Sequence, residues 1–408
     1  MTNSGFSEER LARIPRFLAD QVAAGALPGA QTLIWRRGEL AHHSLVGSMD
    51  LARATPMRDD AIFRIYSMTK PITSVALLML LEEGQVALDD PVTRFIPAFA
   101  DLKVTGGAKP ERSMPNRTMT VLDLMRHTAG LTYGFHNRTP LDAQYRAQRI
   151  GEFDTEGGLE AMIAQLARLP LELPPGAAWI YSVATDVLGY LIQVISGRPF
   201  ADFIRTRILT PLRMTDTDFL VPDAKQARFA ACYARKDGRL DLFDDGQVSP
   251  WLAAPRLESG GGGLVGTAQD YLRFARMLLN NGELDGVRLL SPKTVQLMTA
   301  NHLPDGCEIA ELSPAADAFN ESGYRGLGFG LGVAVTLDPA RTGIPGTAGE
   351  YAWGGMASTA FFVDPAEEMA VIFMTQVIAD TARRVRLRRD LRTLVYGAMT
   401  ETFVKERA

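Results

Sequence analysis

The sequence predicts an α+β fold, in which both ends of the chain build one antiparallel sheet flanked by helices and a mostly helical lobe is inserted between them. Strand patterns occur near residues 30–46 and again after residue 329, whereas helical patterns fill most of the residues between. Placing both ends in one sheet is the simplest packing. We therefore expect an α/β lobe of residues 1–66 and 282–408, and a helical lobe of residues 67–281.

The elements follow from apolar periodicity and from turn residues. Residues 7–24 carry an apolar stripe at helical spacing, and the next two strands, 30–35 and 40–46, flank an Arg-Arg-Gly-Glu turn. Further helices are predicted at 121–126, 159–169, 184–196, 268–280 and 379–402, and further strands at 329–337, 357–363 and 369–375. The arginine-rich run from Arg383 to Arg389 is interpreted as a solvated helix face, because the chain as a whole is acidic.

Composition excludes several classes of protein. The chain has 408 residues, 46% of them hydrophobic, which is enough for a large core, and its net charge of −4 argues against a nucleic-acid partner. It has no apolar stretch of about 18 residues, which argues against a membrane span. Residues 1–17 lack the apolar region of a secretory signal, so we expect a cytoplasmic protein. Cys232 and Cys307 are expected to be reduced thiols.

Ser67 and Lys70 are the candidate nucleophile and base. They lie one turn apart at the start of the most apolar predicted helix, so they face the same side of it. The N–H groups at a helix start stabilise developing negative charge, and burial beside the apolar residues 75–81 lowers the pKa of a lysine. A neutral amine can then take the serine proton. A lone S-x-x-K match is weak, but of the seven lysines only Lys70 follows a serine by three residues.

Two later segments carry further candidates. Tyr181 stands at a loop-to-helix junction, where a phenol beside an amine can shuttle a proton; the alternative is a core tyrosine whose hydroxyl meets a carbonyl. Trp353, Gly354 and Gly355 lead into a strand, where glycines permit close backbone approach and a free N–H can serve as an oxyanion donor. The alternative for this segment is a turn that closes a hairpin.

Taken in order, S-x-x-K, Tyr181-Ser182-Val183 and the W-G-G segment resemble the serine β-lactamase and penicillin-binding protein superfamily, class C-like, and most closely its family VIII carboxylesterases. Segments 124–131 and 260–268 are also similar to that family, and the resemblance covers nearly the whole chain. It implies a serine β-lactamase-like fold. Because the S-D-N and K-T-G companions of β-lactamases are replaced here, β-lactam hydrolysis is not expected as the main activity.

The resemblance also implies roles for individual residues. Ser67 would be the nucleophile that is acylated, and Lys70 its general base. Tyr181 would relay the proton to the leaving group and help to activate the deacylating water. The backbone N–H groups of Ser67 and Met356 would form the oxyanion hole.

Substrate binding is assigned in the same way. Trp353 replaces the lysine that in β-lactamases lies near the substrate carboxylate, and an indole offers an apolar wall but no charge. Gly354 and Gly355 would line the site beside it, and Tyr133 would form another wall. His127 is interpreted as structural. These residues favour neutral esters over anionic lactams.

The sequence thus predicts a serine carboxylesterase that hydrolyses short-chain neutral acyl esters through an acyl-enzyme, with a small-molecule ester as its partner and no cofactor or metal. The G-x-S-x-G elbow of α/β-hydrolases and the H-E-x-x-H zinc motif are both absent. Three alternatives of the same fold stay open: a β-lactamase or D-aminoacyl peptidase, an acyltransferase, and a catalytically silent binding or filament-forming member. The complete set of Ser67, Lys70 and Tyr181 argues against a catalytically silent protein.

Overall fold

The structure is a computed structural model that describes residues 4–105, 117–314 and 325–403. The helices of these residues are α1 (Glu8–Leu11), α2 (Arg13–Ala23), α3 (Thr69–Glu82), α4 (Val121–Met125), α5 (Pro140–Ala147), α6 (Gly158–Leu166), α7 (Ala184–Ser196), α8 (Phe200–Ile204), α9 (Ala268–Leu279), α10 (Pro292–Met298), α11 (Ile309–Leu312), α12 (Pro339–Thr342) and α13 (Thr381–Gly397). The strands are β1 (Gly29–Arg36), β2 (Glu39–Asp50), β3 (Thr55–Pro56), β4 (Phe63–Arg64), β5 (Cys232–Lys236), β6 (Arg239–Asp244), β7 (Val265–Gly266), β8 (Glu283–Leu284), β9 (Val287–Arg288), β10 (Leu327–Phe329), β11 (Ala334–Thr336), β12 (Tyr351–Gly354), β13 (Ala360–Asp364), β14 (Met369–Thr375) and β15 (Val377–Ile378).

Both ends of the chain meet in one eight-stranded sheet, which confirms the predicted fold class. Its strand order is β10-β11-β12-β13-β14-β1-β2-β3, and all of its neighbouring strands are antiparallel. The two ends join where β14 pairs with β1, from Ala30 opposite Thr375 to Arg36 opposite Met369. Strand β12, which contains Trp353 and Gly354 of the W-G-G segment, therefore belongs to the same sheet as the N-terminal hairpin.

The two faces of this sheet are covered by different helices. Side chains alternate along a strand, so Phe361 and Ile372 face the core that contains α9, whereas Phe362 and Phe373 face a second core. The second core is closed by α2 and by α13, whose Leu391 packs into it. The lobe boundaries stay a prediction; α9, which that prediction assigns to the helical lobe, packs against β1, β13 and β14.

The helix that follows Ser67 is apolar on all sides. Every residue of α3 from Thr69 to Leu80 is buried, as expected of a helix surrounded by protein, and α3 packs against α7 and α8. The region between the two chain ends is not helical throughout, since β5 and β6 form a hairpin and β15 pairs in parallel with β5. No helix in the described part of the chain is long and apolar enough to cross a membrane.

Three sequence-based expectations need correction. The predicted strand 329–337 is two strands, β10 and β11, because the chain turns back between Phe329 and Ala334. The predicted strand 357–363 begins only at Ala360, because a turn precedes it. The arginine run is not a uniformly solvated face: Arg384 and Arg388, one turn apart on α13, point inward toward the sheet. Cys232 and Cys307 are both buried.

Candidate active site

The candidate nucleophile Ser67 lies in a short 3-10 turn, Tyr66–Met68, that runs directly into α3. Tyr66, immediately before it, has φ +43°, in the left-handed region that costs a non-glycine residue roughly 1–2 kcal/mol. The Tyr66 ring is anchored edge-on against Trp251, with ring centroids 5.7 Å apart. Tertiary packing therefore holds the turn that presents Ser67 in a conformation its local sequence does not favour.

Lys70 is buried, with 1% of its side chain exposed, and its amine meets Ser67. The Nζ atom lies 3.4 Å from Ser67 Oγ, 3.1 Å from the Tyr133 hydroxyl and 2.6 Å from the Gly261 carbonyl oxygen. Burial lowers the pKa of Lys70 to about 7, although the Asp186 carboxylate opposes this shift. Near neutral pH a substantial fraction of the amine is therefore uncharged and able to accept a proton.

Tyr181 lies against the same amine. Its ring centroid is 4.5 Å from Lys70 Nζ, and the His136 imidazole donates from Nε2 to the Tyr181 carbonyl oxygen at 2.6 Å. Burial raises the pKa of Tyr181, while the polar side-chain atoms of Ser67 and Trp353 oppose that shift. The phenol therefore stays protonated at neutral pH and is able to donate a proton.

Tyr133 contacts the Lys70 amine. Its hydroxyl lies next to the Lys70 amine, and its ring is stacked on Phe135 with centroids 4.6 Å apart. Phe135 itself is 49% exposed, so the stacked pair leads from the amine out to solvent. Burial raises the pKa of Tyr133 well above its usual value. The role of Tyr133 as a wall of the substrate site stays a prediction, while its hydroxyl belongs to the group around Lys70.

The turn after β12 approaches the Ser67 turn closely enough to require glycine. A Cβ on Gly355 would lie 2.4 Å from the carbonyl oxygen of Ile65, two residues before Ser67. The guanidinium of Arg388 donates to the carbonyl oxygens of Gly355 at 2.8 Å and Thr359 at 2.7 Å. In the described residues the Met356 N–H donates to no acceptor. Its assignment to an oxyanion hole with Ser67 stays a prediction.

Trp353 is buried beside Tyr181 and does not form an exposed surface. Only 2% of it is exposed, and its ring lies 5.6 Å from that of Tyr181 and 5.4 Å from that of Phe329 between centroids. Gly354 beside it contacts the Arg388 guanidinium, which a side chain at this position would displace. That Trp353, Gly354 and Gly355 bind substrate stays a prediction.

His127 is packed among aromatic rings. Its imidazole centroid lies 4.9 Å from that of Tyr181, and its Nδ1 is 3.4 Å from Ser182 Oγ. Burial lowers the pKa of His127 well below its usual value, so the ring is neutral. Residues 4–105, 117–314 and 325–403 contain no cluster of three or more side chains suited to hold a metal ion.

Sequence reasoning missed two residues that the fold brings to the amine. Gly261 supplies the carbonyl that Lys70 contacts, and Asp186 is a fully buried carboxyl next to it. The only sequence signal for Asp186 is a carboxylate in the first turn of the apolar helix α7, five residues after Tyr181. For Gly261 the signal is the run of four glycines at 260–263.

Comparisons with known proteins show which family this chain is similar to. The family model described as Beta-lactamase matches residues 14–394, which include each of these site residues. Esterase EstB of Burkholderia gladioli is 31% identical over 368 residues, 86% of each chain. Protein Rv1367c of Mycobacterium tuberculosis is 38% identical over 363 residues, 88% of each chain. The solved structure described as "EstCE1, a hydrolase with promiscuous acyltransferase activity" is similar with a TM-score of 0.80 at 26% identity, covering 95% of this chain and 99% of that one.

Proposed function

This chain belongs to the Beta-lactamase family, in its family VIII esterase branch, and on that premise we propose that it is a serine carboxylesterase that hydrolyses short-chain neutral acyl esters through an acyl-enzyme. One observation carries the proposal: a buried lysine amine, with its pKa lowered to about 7, lies 3.4 Å from the hydroxyl of Ser67. A buried base beside a serine hydroxyl is the arrangement that activates a nucleophile without histidine.

In the proposed reaction Ser67 Oγ attacks the ester carbonyl carbon while Lys70 takes the hydroxyl proton. The oxyanion of the tetrahedral intermediate accepts hydrogen bonds from the N–H groups of Ser67 and Met356. When the intermediate collapses, the alcohol leaves with a proton that Tyr181 relays from Lys70. Water then attacks the acyl-enzyme with the same groups, releasing the carboxylic acid and free Ser67.

The side chains around the Ser67 turn support an apolar substrate. Phe153 and Met356 are partly buried residues that pack with Tyr66 and Trp251 in one apolar cluster. Trp353 brings no charge, and the exposed Arg341 is paired with Glu308 at 3.0 Å. We therefore propose a neutral acyl group rather than the carboxylate-bearing ring of a β-lactam.

A second candidate is transfer of the acyl group to an alcohol instead of water. It is favoured by the likeness to EstCE1, whose description names both a hydrolase and promiscuous acyltransferase activity. The two reactions share the acyl-enzyme and differ only in the nucleophile that resolves it. A panel of p-nitrophenyl esters and a chromogenic cephalosporin, with and without an added alcohol, distinguishes ester hydrolysis, acyl transfer and β-lactam hydrolysis.

Labelling by a fluorophosphonate tests the proposal directly. Wild type is expected to gain one adduct by intact mass, and Ser67→Ala is expected to lose both the label and the esterase activity. Ser74→Ala is a matched control, because it removes a buried hydroxyl from the same helix at a position outside the site. Substantial turnover by purified Ser67→Ala would refute the assignment of the nucleophile.

A further inference from the structure

The glycine-rich loop at residues 259–263 lies beside the Lys70 amine and has no role in the proposed reaction. The N–H groups of Gly262 and Gly263 donate to the carbonyl oxygen of Ser259, at 3.4 and 2.9 Å, so the loop is a tight turn. The N–H of Gly261 donates to Asp186 Oδ1 at 3.0 Å. Ser259 Oγ donates to the same oxygen at 2.5 Å. The Asp186 carboxylate thus ties the loop at two points.

The loop is packed too closely against its neighbours to move freely. A Cβ on Gly261 would lie 2.5 Å from Asp186 Oδ2 and 2.9 Å from the Tyr133 hydroxyl oxygen. One turn after Lys70 on α3, the Thr73 hydroxyl donates to the Gly260 carbonyl oxygen at 2.8 Å. The carbonyl of Gly261 is therefore held in place from both sides of the loop.

The Gly261 carbonyl constrains which way the amine can point. A neutral amine has two N–H groups and one lone pair, and a carbonyl oxygen can only accept. At 2.6 Å from Nζ, the Gly261 oxygen takes one N–H. The Tyr133 oxygen, 3.1 Å away, can take the second, which leaves the lone pair for the Ser67 hydroxyl. Proton transfer from Ser67 thus depends on where the Gly261 carbonyl lies.

We propose that Asp186 is a positioning residue for the acylation step: by binding the Gly261 N–H it holds the Gly261 carbonyl against the Lys70 amine and so directs the amine lone pair toward Ser67. This inference rests on the proposed function, because it takes Ser67 and Lys70 as the nucleophile and base. It gives a chemical role to a buried carboxyl and to a glycine-rich loop that the reaction otherwise leaves unused.

Asp186 also acts on Lys70 through its charge. Among the described residues, the titratable groups that face the amine are Tyr133, Tyr181, His127 and Asp186. Tyr133 and Tyr181 are neutral because burial raises the pKa of each phenol, and His127 is neutral because burial lowers its pKa. Burial raises the pKa of Asp186 as well, but the Lys70 ammonium opposes that rise, and in its ionised form Asp186 raises the pKa of Lys70. Removing this carboxylate is therefore expected to lower the pKa of Lys70 further.

Two substitutions of Asp186 separate its effect on the position of the Gly261 carbonyl from the effect of its charge on Lys70. Asp186→Asn keeps an oxygen that can accept from Gly261 and removes the charge, whereas Asp186→Ala removes both. We expect Asp186→Ala to lower kcat for a p-nitrophenyl ester by about 10- to 100-fold with KM changed by less than about threefold, because misplacing a reacting group by about 1 Å can cost that much. Asp186→Asn should keep most of kcat. In both variants the acid limb of the kcat/KM profile should move to lower pH.

Asp270→Asn is the matched control. Asp270 is a buried carboxyl whose pKa is raised to about 6, and it accepts from the Asp216 N–H at 2.7 Å and the Thr217 hydroxyl at 2.9 Å. This substitution also changes a buried carboxylate that accepts a backbone N–H and a hydroxyl, but at a position without contact to Lys70. The kcat/KM profile of Asp270→Asn against pH should therefore match that of wild type. The proposal is overturned if the acid limb stays at the wild-type pH in both Asp186 variants, or if Asp186→Ala keeps kcat within twofold of wild type.

A readout that needs no turnover keeps this test separate from the proposed function. With only seven lysines in the chain, ¹³Cε-lysine NMR can follow the Lys70 titration, assigned by its loss in Lys70→Arg. A lower Lys70 pKa in Asp186→Asn supports the inference, and this readout remains available if Asp186→Ala does not fold. An unchanged pKa of Lys70 in Asp186→Asn overturns the inference. A wild type that is neither labelled by fluorophosphonate nor active on esters refutes the proposed function, while the NMR result still decides the link between Asp186 and Lys70.

Discussion

The Lys70 amine and the Tyr133 hydroxyl lie 3.1 Å apart, closer than the 3.4 Å that separates the amine from Ser67 Oγ. Tyr133 follows the 124–131 segment in the chain and was expected only as a wall of the substrate site. Its position makes it a hydrogen-bond partner of the base. Two phenols, Tyr133 and Tyr181, therefore face one amine, and their contributions can be separated by removing one hydroxyl at a time.

Tyr133→Phe is expected to lower kcat by about two- to tenfold, because it removes one neutral hydrogen bond, worth roughly 0.5–1.5 kcal/mol, and keeps the ring stacked on Phe135. Tyr181→Phe is expected to cost about 10²- to 10⁴-fold, the usual loss for a group that transfers a proton in the reaction. Steady-state kinetics on one p-nitrophenyl ester compares the two. A larger loss in Tyr133→Phe than in Tyr181→Phe would assign the proton transfer to Tyr133, and equal losses would contradict the predicted difference between the two phenols.

The rate should report the titration of Lys70. On the proposal that Lys70 is a neutral base with a pKa of about 7, kcat/KM is expected to rise with pH through about pH 7 and then to level off. Lys70→Arg should lose about 10²- to 10⁴-fold in kcat at every pH, since arginine stays protonated and cannot accept the proton. An arginine variant near wild-type activity would show that this position supplies only positive charge.

Burial of the Lys70 amine should also lower the free energy of unfolding. Its pKa is about 7 in the folded chain and about 10.4 when unfolded, so the unfolded state binds more protons between these values and stability rises with pH across that window. At pH 7 this penalty lowers the free energy of unfolding by about 4 kcal/mol. Lys70→Met removes it but leaves the Gly261 carbonyl unpaired at about 1–3 kcal/mol. We expect a net gain of about 1–3 kcal/mol in the free energy of unfolding.

This gain should shrink as the pH approaches 10, because the folded amine is then neutral and the unfolded amine begins to lose its proton, which reduces the penalty to about 1 kcal/mol at pH 9.5. Denaturant unfolding at pH 7 and pH 9.5 measures the difference. Lys103→Met, at an exposed lysine, is the control and should change stability little at either pH. A Lys70→Met variant no more stable than wild type at pH 7 would contradict burial of an uncharged amine.

Trp353 should set the preference for neutral esters. Trp353→Lys is expected to lower kcat/KM for p-nitrophenyl butyrate and to raise the relative rate on nitrocefin, whose carboxylate can pair with the new ammonium; such a bond is worth about 1.5–3 kcal/mol. Because Trp353 is buried against Tyr181 and Phe329, the variant also loses ring packing. Trp353→Phe retains an apolar ring and should keep the ester preference. A wild type that prefers nitrocefin, or an unchanged ratio in Trp353→Lys, counts against the ester site.

Several features of this protein follow from the sequence alone. The strand patterns at both ends predicted the shared antiparallel sheet, and the pairing of β1 with β14 confirms it. The apolar residues after Lys70 predicted that α3 is buried, and with it the amine. These features depend on periodicity and on near neighbours, which a single segment encodes, because the side-chain period of a strand or helix sorts its residues onto faces.

Other features were decided only by tertiary structure. The carbonyl that contacts Lys70 comes from Gly261, 191 positions further along the chain, and Asp186 reaches it from a third segment. Arg384 and Arg388 belong to a run that looks solvated by composition, yet they face the sheet because α13 docks with that side inward. Contacts between distant segments depend on how all the elements pack together. Local sequence therefore predicted that Ser67 and Lys70 face each other, whereas the fold selected the groups that hold them in place.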